Sequence, residues 1–323
     1  MKNLKEYILE SLLDDEEDLI DNDDAIIRNF LEKNYRIYGS YTIKYNVVDV
    51  KGDVIVKNNG ITSLTNGLFE FGEVSGDFKC FYCESLKTLE GAPKEVGGYF
   101  YCSECESLKT LEGAPEYVGR NFNCVRCKSL TSLEGAPKYV KMSFNCDHCE
   151  SLKSLEGAPK YVGGSFYCYS CDSLTSLKGA PKEVGEGFIC HKCPKLESLE
   201  GSPKNIKGVF DCSDCNSLTS LEGSPEEVGN SFNCACCNSL ETLKGSPREI
   251  RGCFYCYECP KLKSLEGSPK NVKDIFDCSD CKSLKSLEGS PEKVRYFKCY
   301  RCRSLTSLEG APEKVVRIYS DFK

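Results

Sequence analysis

Between Phe78 and Val315 the apolar positions follow one order, written eleven times. Counting each copy from its Phe as position 0, Cys falls at +2 and +5, Leu at +8 and +11, Gly at +13, Pro at +15 and Val or Ile at +18. Phe166 to Val184, FYCYSCDSLTSLKGAPKEV, is representative. Phe at 0 and Cys at +2 alternate with variable residues at −1, +1 and +3, the period of a short strand with one buried face. Gly at +13 and Pro at +15 free and then fix φ, bending the chain back before Val at +18 returns to the core. A 22-residue unit of this kind cannot enclose its own apolar side and must stack on its neighbours, which predicts a solenoid. Parallel rungs about 4.8 Å apart would give an arc or rod on the order of 50 Å long. The step from Cys278 to Cys299 is one residue short, and the missing residue between Val294 and Phe297 is expected to be absorbed in a surface turn.

The flanks have other patterns. Leu4, Ile8, Leu12 and Leu13 recur at helical spacing, as do Ile26, Ile27, Phe30 and Leu31 after an acidic break where Asp23 or Asp24 can cap. From Arg36 to Val56 the alternation is that of strands. GDVIVKNNGITSLTNG has the shape of a repeat without its cysteines. The predicted organisation is a helical and β cap over residues 1–50, degenerate starting repeats over 51–77, eleven repeats over 78–315 and a capping strand over 316–323. The final half-repeat, VVRIYSDFK, is aligned with Tyr319 in the Phe column and Asp321 in the first Cys column, an acid that would blunt the open edge. Copies six and seven match copies nine and ten, three repeats further on, so the array grew by blocks of three.

A net charge of −7 disfavours a nucleic-acid duplex as the main partner. The acidic first residues are not those of an export signal, and no apolar run reaches the length of a membrane span. The expected setting is therefore soluble, reducing and cytoplasmic, with a virion or cell surface as the alternative. Of 24 cysteines, 22 lie in the +2 and +5 columns beside Phe, Leu and Val, where a free thiol serves as a small buried hydrophobe.

The segment VGGSFYCYSCDSLTSL resembles the leucine-rich-repeat frame LxxLxLxxNxLxxL, with Phe and Cys at the strand leucines and the second Cys at the Asn or Cys ladder position. It is similar to short bacterial leucine-rich repeats and to BspA-like repeats, and SLTSLEGAPKEVGG resembles repeat proteins of bacteriophages and gut bacteria. The spacing from the second Cys to Leu is three residues where the frame has two. The resemblance implies a right-handed leucine-rich-repeat-like solenoid, an α/β repeat that is mostly β, with its strand face used for binding.

The columns agree with that implication, because +1 and +3 vary within a nearly fixed frame. They supply the candidate binding residues Tyr101, Asn123, Asn145, Tyr167, Tyr169, Asp211, Asn233, Tyr255, Tyr257, Asp277 and Tyr300, with the sharpest groups at Tyr167 with Tyr169 and Tyr255 with Tyr257. Rigid aromatics with small polar groups are the composition of protein-binding surfaces. The expected function is a non-enzymatic scaffold for a protein partner, without a cofactor. The competing reading is a zinc-bearing CxxC stack built on Cys80, Cys83, Cys102, Cys105 and equivalent pairs. Thiolate charge in a column of Phe, Leu and Val opposes it. A third is a surface adhesin for protein or glycan. His148 and His191 fall in different columns, the residues at +16 and +17 look like a solvated side, and Cys236 and Cys253 read as free surface thiols.

Overall fold

The structure, a computed structural model, describes residues 23–322. The helical run expected at Leu4 to Leu13 lies outside them. A helix, α1, spans 23–34, and its Ile27 and Leu31 are buried against the start of the stack. Phe30 joins them, 5.9 Å from Phe69, while Tyr35 meets Phe71 edge-on at 5.3 Å. Strand β1 (Tyr35–Lys44) pairs antiparallel with β2 (Val47–Val56), Tyr35 opposite Val56 and Lys44 opposite Val47. Tyr45 and Asn46 both take positive φ, 53° and 58°, as a two-residue hairpin turn requires.

The parallel stack begins on β2. Its first half pairs with β3 (Glu70–Val74) and its second half with β4 (Phe78–Lys79). Two ladders then run side by side through about twelve turns. One is the Phe ladder, in which Phe144 lies opposite Phe122 and Phe166. The other, not foreseen from the pattern, is built from positions +17 and +18, with Val162 opposite Val140 and Val184. Positions +16 and +17 are exposed as expected, with Tyr117 and Tyr161 half-buried, but the side they occupy is also a second sheet arm. The arms meet at a kink in which the amides of Gly163 and Gly164 donate to Val140 and Met142 of the preceding rung, at 3.0 and 2.8 Å.

The short step is absorbed in the strand, which corrects the expectation of a surface turn. Asn271–Asp277, Lys293–Cys299 and Lys314–Ser320 each run unbroken through both arms. The first two pair with a register shift between Val272 and Ile275, and the last two pair without one. The extra residue that Asn271–Asp277 carries across that shift is the one that Lys293–Cys299 lacks. The same step recurs at the end, so Ile318, not Tyr319, lies opposite Phe297, and Ser320, not Asp321, lies opposite Cys299. Asp321 serves the edge in another way, its carboxylate accepting the Arg301 amide at 2.5 Å. Equivalent amides upstream find the next rung's carbonyl, as Asp280 finds Tyr300 at 2.8 Å.

The core is a stack of identical layers. Successive Phe rings from Phe78 to Phe297 lie face to face, for example 5.1 Å apart between Phe122 and Phe144 and 5.3 Å between Phe144 and Phe166. The six apolar columns are buried throughout the middle of the array. At about 1.5–3 kcal/mol per side chain the burial in each rung is on the order of 10 kcal/mol before ordering entropy is subtracted. Position +13 explains its glycine twice over: φ at Gly157 is 88°, and a Cβ there would meet Glu134 N at 2.4 Å. Position +4 is also left-handed in all eleven copies, φ 53–60°, yet carries Tyr82, Glu104, Arg126, His148, Ser170 and others with no glycine among them.

Candidate functional site

The outer face of the Phe ladder carries columns +1 and +3. All eleven +1 side chains are half-buried between their neighbours. The +3 column ranges from buried Asp147 and Ser213 to exposed Phe81 and Tyr300. Every candidate residue from the pattern lies on this face, but their duties differ. Asn123, Asn145, Asp211, Asn233 and Asp277 each turn an Oδ1 onto the amide two residues ahead, at 2.9–3.1 Å. Such a side-chain bond steadies the backbone as it enters the left-handed residue at +4. These five are tied into their own rung. The tyrosines have no such tie: Tyr101 packs its ring on Tyr99 at 5.6 Å, and Tyr255 meets Tyr257 edge-on at 6.1 Å.

Midway along the face the structure assembles a cluster that column sorting kept apart. Tyr169 stacks on His191 at 4.7 Å and 8°, and His148 abuts the other side of Tyr169 at 5.2 Å and 77°. Beneath them Asp147 is buried; its Oδ1 accepts the Tyr169 amide at 3.0 Å, and its own amide donates to Asn145. Burial pushes the Asp147 carboxyl up to about 7, and the bonds from Tyr169 and Asn145 moderate the shift. The signal was available in the sequence, since Tyr169 and His191 share a column in successive repeats, and parallel rungs in register put such residues in contact.

A second aromatic ladder escaped sequence reasoning. Tyr117, Tyr139 and Tyr161, all at +17, stack at 5.5 and 4.6 Å on the outer side of the Val ladder. Their recurrence in three successive repeats was visible, but Glu, Asn and Lys fill the same column elsewhere, and such a mixture predicts a solvated side.

The cysteine columns do two separate things. At +5 each thiol from Cys105 to Cys302 donates to the carbonyl of the preceding rung's +2 Cys, as Cys127 to Cys102 at 3.1 Å and Cys171 to Cys146 at 3.4 Å. This is a hydrogen-bonded ladder made of thiols. At +2 some thiols donate forward, as Cys146 to the Tyr167 carbonyl at 3.3 Å. Burial raises the thiols of Cys146, Cys168, Cys190 and Cys212, and pushes Cys124 and Cys193 up to about 12. Cys302, in the last rung, is lowered by its bond with Cys278. The 24 cysteines are free thiols, and no group of three or more metal-ligating side chains among the described residues is arranged to hold a metal ion. Cys236 and Cys253 are half-buried rather than surface thiols.

No family model matches this chain, and no curated protein does. A leucine-rich repeat protein from Bacteroides ovatus ATCC 8483 is similar in structure, with 17% identity and a TM-score of 0.40 over 87% of this chain and 88% of that one. No helix among the described residues is long and apolar enough to cross a membrane.

Proposed function

We propose that the protein is a non-enzymatic, cofactor-free scaffold that binds another protein through the outer face of its Phe ladder. The observation that carries this reading is the division of labour on that face. Its Asn and Asp residues at +1 are occupied by the backbone, whereas Tyr167, Tyr169, Tyr255 and Tyr257 stand half-buried without a side-chain bond to the backbone, and all but Tyr167 rest against a neighbouring ring. Aromatic rings held in place lose little entropy on binding and supply most of the contact area. The thiol ladder supports the absence of a metal role, because its sulfurs are already donors and burial keeps the proton on thiols such as Cys171 and Cys193.

Replacing Tyr167, Tyr169, Tyr255 and Tyr257 by Ser should leave circular dichroism and melting behaviour close to the parent. Capture of partners from the source cell should fall at least about tenfold, as for loss of several anchor residues. Equal capture by parent and variant would move the site off this face. Metal analysis of protein isolated without added zinc is the complementary measurement: one zinc per two repeats would replace the free-thiol reading with the CxxC stack.

A further inference from the structure

The other arm of the rung carries a groove that the proposed binding face does not use. It follows the outer side of the Val ladder over the C-terminal rungs, with a volume of about 700 Å³ bounded by Arg251, Lys273, Arg295, Val315 and Val316. A neighbouring hollow of about 460 Å³, toward Lys207, shares Glu249 and Arg251 with it, but there Glu226, Glu227 and Glu249 balance Lys207, Arg248 and Arg251, so the excess of cations lies in the C-terminal groove.

The charges along it are unusual for this chain. Lys207, Arg251, Lys273 and Arg295 share one column, the position directly after the Val, interrupted only by Gly229. All four are exposed, and among the described residues none forms an ion pair. Three columns away the same rungs do neutralise their lysines, Lys204 with Glu226 at 3.3 Å and Lys270 with Glu292 at 3.5 Å. Like charges on adjacent strands repel. A row of unneutralised cations in a protein of net charge −7 is a site for an anionic partner. The partner must also be partly apolar. Val316 at the mouth is 74% exposed and Val315 is half-buried, and a phosphate polymer gains nothing from covering them.

One segment of this chain has both properties. Residues 1–22 hold eight acids against two lysines, with Leu4, Ile8, Leu12 and Leu13 at helical spacing. In its own molecule that segment starts at the wrong end. From Val50 of β2 the Val ladder takes nine steps to Ile250, where the groove begins, about 43 Å at the usual strand spacing. A 22-residue helix is only about 33 Å long. We propose that the basic groove from Arg251 to Arg295 binds the acidic N-terminal segment, residues 1–22, of a second copy, so that copies associate head to tail. Each contact leaves one free segment and one free groove, so assembly runs past the dimer.

Sedimentation velocity of the full chain over a concentration series at low salt tests this. The expected result is a weight-average mass that climbs beyond two copies, returns to the monomer at high salt, and also falls when excess synthetic peptide of residues 1–22 is added. The variant Arg251→Glu, Lys273→Glu, Arg295→Glu should weaken association by about tenfold or more, with its fold checked by circular dichroism. Charge reversal at Asp15, Glu16 and Glu17 to Lys should weaken it equally, and combining the two sets should restore it. A monomer at all concentrations overturns the proposal. So does a mass that stops at the dimer and ignores the peptide, or association unchanged in the groove variant. Binding of an oligonucleotide at the groove without binding of the peptide also overturns it.

Discussion

The Cys171 thiol bonds the Cys146 carbonyl, while Cys168, three residues earlier in the same CxxC, faces the Phe and Leu columns as a small apolar group. One motif therefore contains a polar role and a packing role, and only rung-to-rung register separates them. Asp147 shows a comparable dependence on place. At an unburied site it would ionise near 3.8, but burial beneath Tyr169 raises it to about 7. Its protonated form is thus favoured by folding: the stabilisation is complete below the unfolded value and is lost as pH rises through about 7. The melting temperature of the parent should fall between pH 5 and pH 8. Asp147→Asn should flatten that fall and be the more stable protein at pH 8, by on the order of a few kcal/mol. Parallel pH curves for the two proteins would mean that Asp147 reaches solvent. In the sequence Asp147 is only one variable letter in a column, because its burial depends on the Tyr and His rings of the adjoining rungs.

At the level of the rung, two left-handed positions are handled in opposite ways. Gly157 cannot be replaced without driving a Cβ into the backbone of the preceding rung, whereas the +4 residues carry full side chains at φ 53–60°. Gly157→Ala should therefore lower stability by more than about 1 kcal/mol, while Arg126→Gly should raise it by about 0.5–1 kcal/mol by removing left-handed strain. Thermal melts of the two single variants decide the matter, and a stabilising Gly157→Ala would refute the assigned turn. The repeat frame, its inward columns and its parallel stacking were legible in the sequence because side-chain periodicity states them directly. The second strand at +17 and +18 was not, since two residues are too few to show alternation. Nor was the +4 conformation, since Tyr, Glu, Arg, His and Cys at that position have no shared left-handed preference. The end register differs by one residue from the expected one because Tyr319, beside Ile318, carries the aromatic ring that the frame leads one to expect, and only the pairing of Ile318 with Phe297 distinguishes them.

Taken whole, the molecule has two unlike ends and two sheet arms with outward faces. The N-terminal end is covered by α1 and an antiparallel hairpin, while the last rung leaves Val315 and Ile318 half-buried and Val316 open. Where a candidate site lies was legible as far as the strand face, whose variable columns stand out against a fixed frame. The His148, Tyr169 and His191 cluster and the basic groove were hidden because both arise between rungs. That every rung bonds only to the one before and the one after also has a mechanical meaning. Tension applied between the two ends loads these bonds in series, so the weakest terminal rung yields first and its neighbour then inherits the load. Each 22-residue rung should release about 70 Å of chain as it gives way. A single-molecule pulling trace would then be a regular sawtooth that shortens the array from its ends, and a single all-or-none rupture would show the rungs to be coupled over longer range.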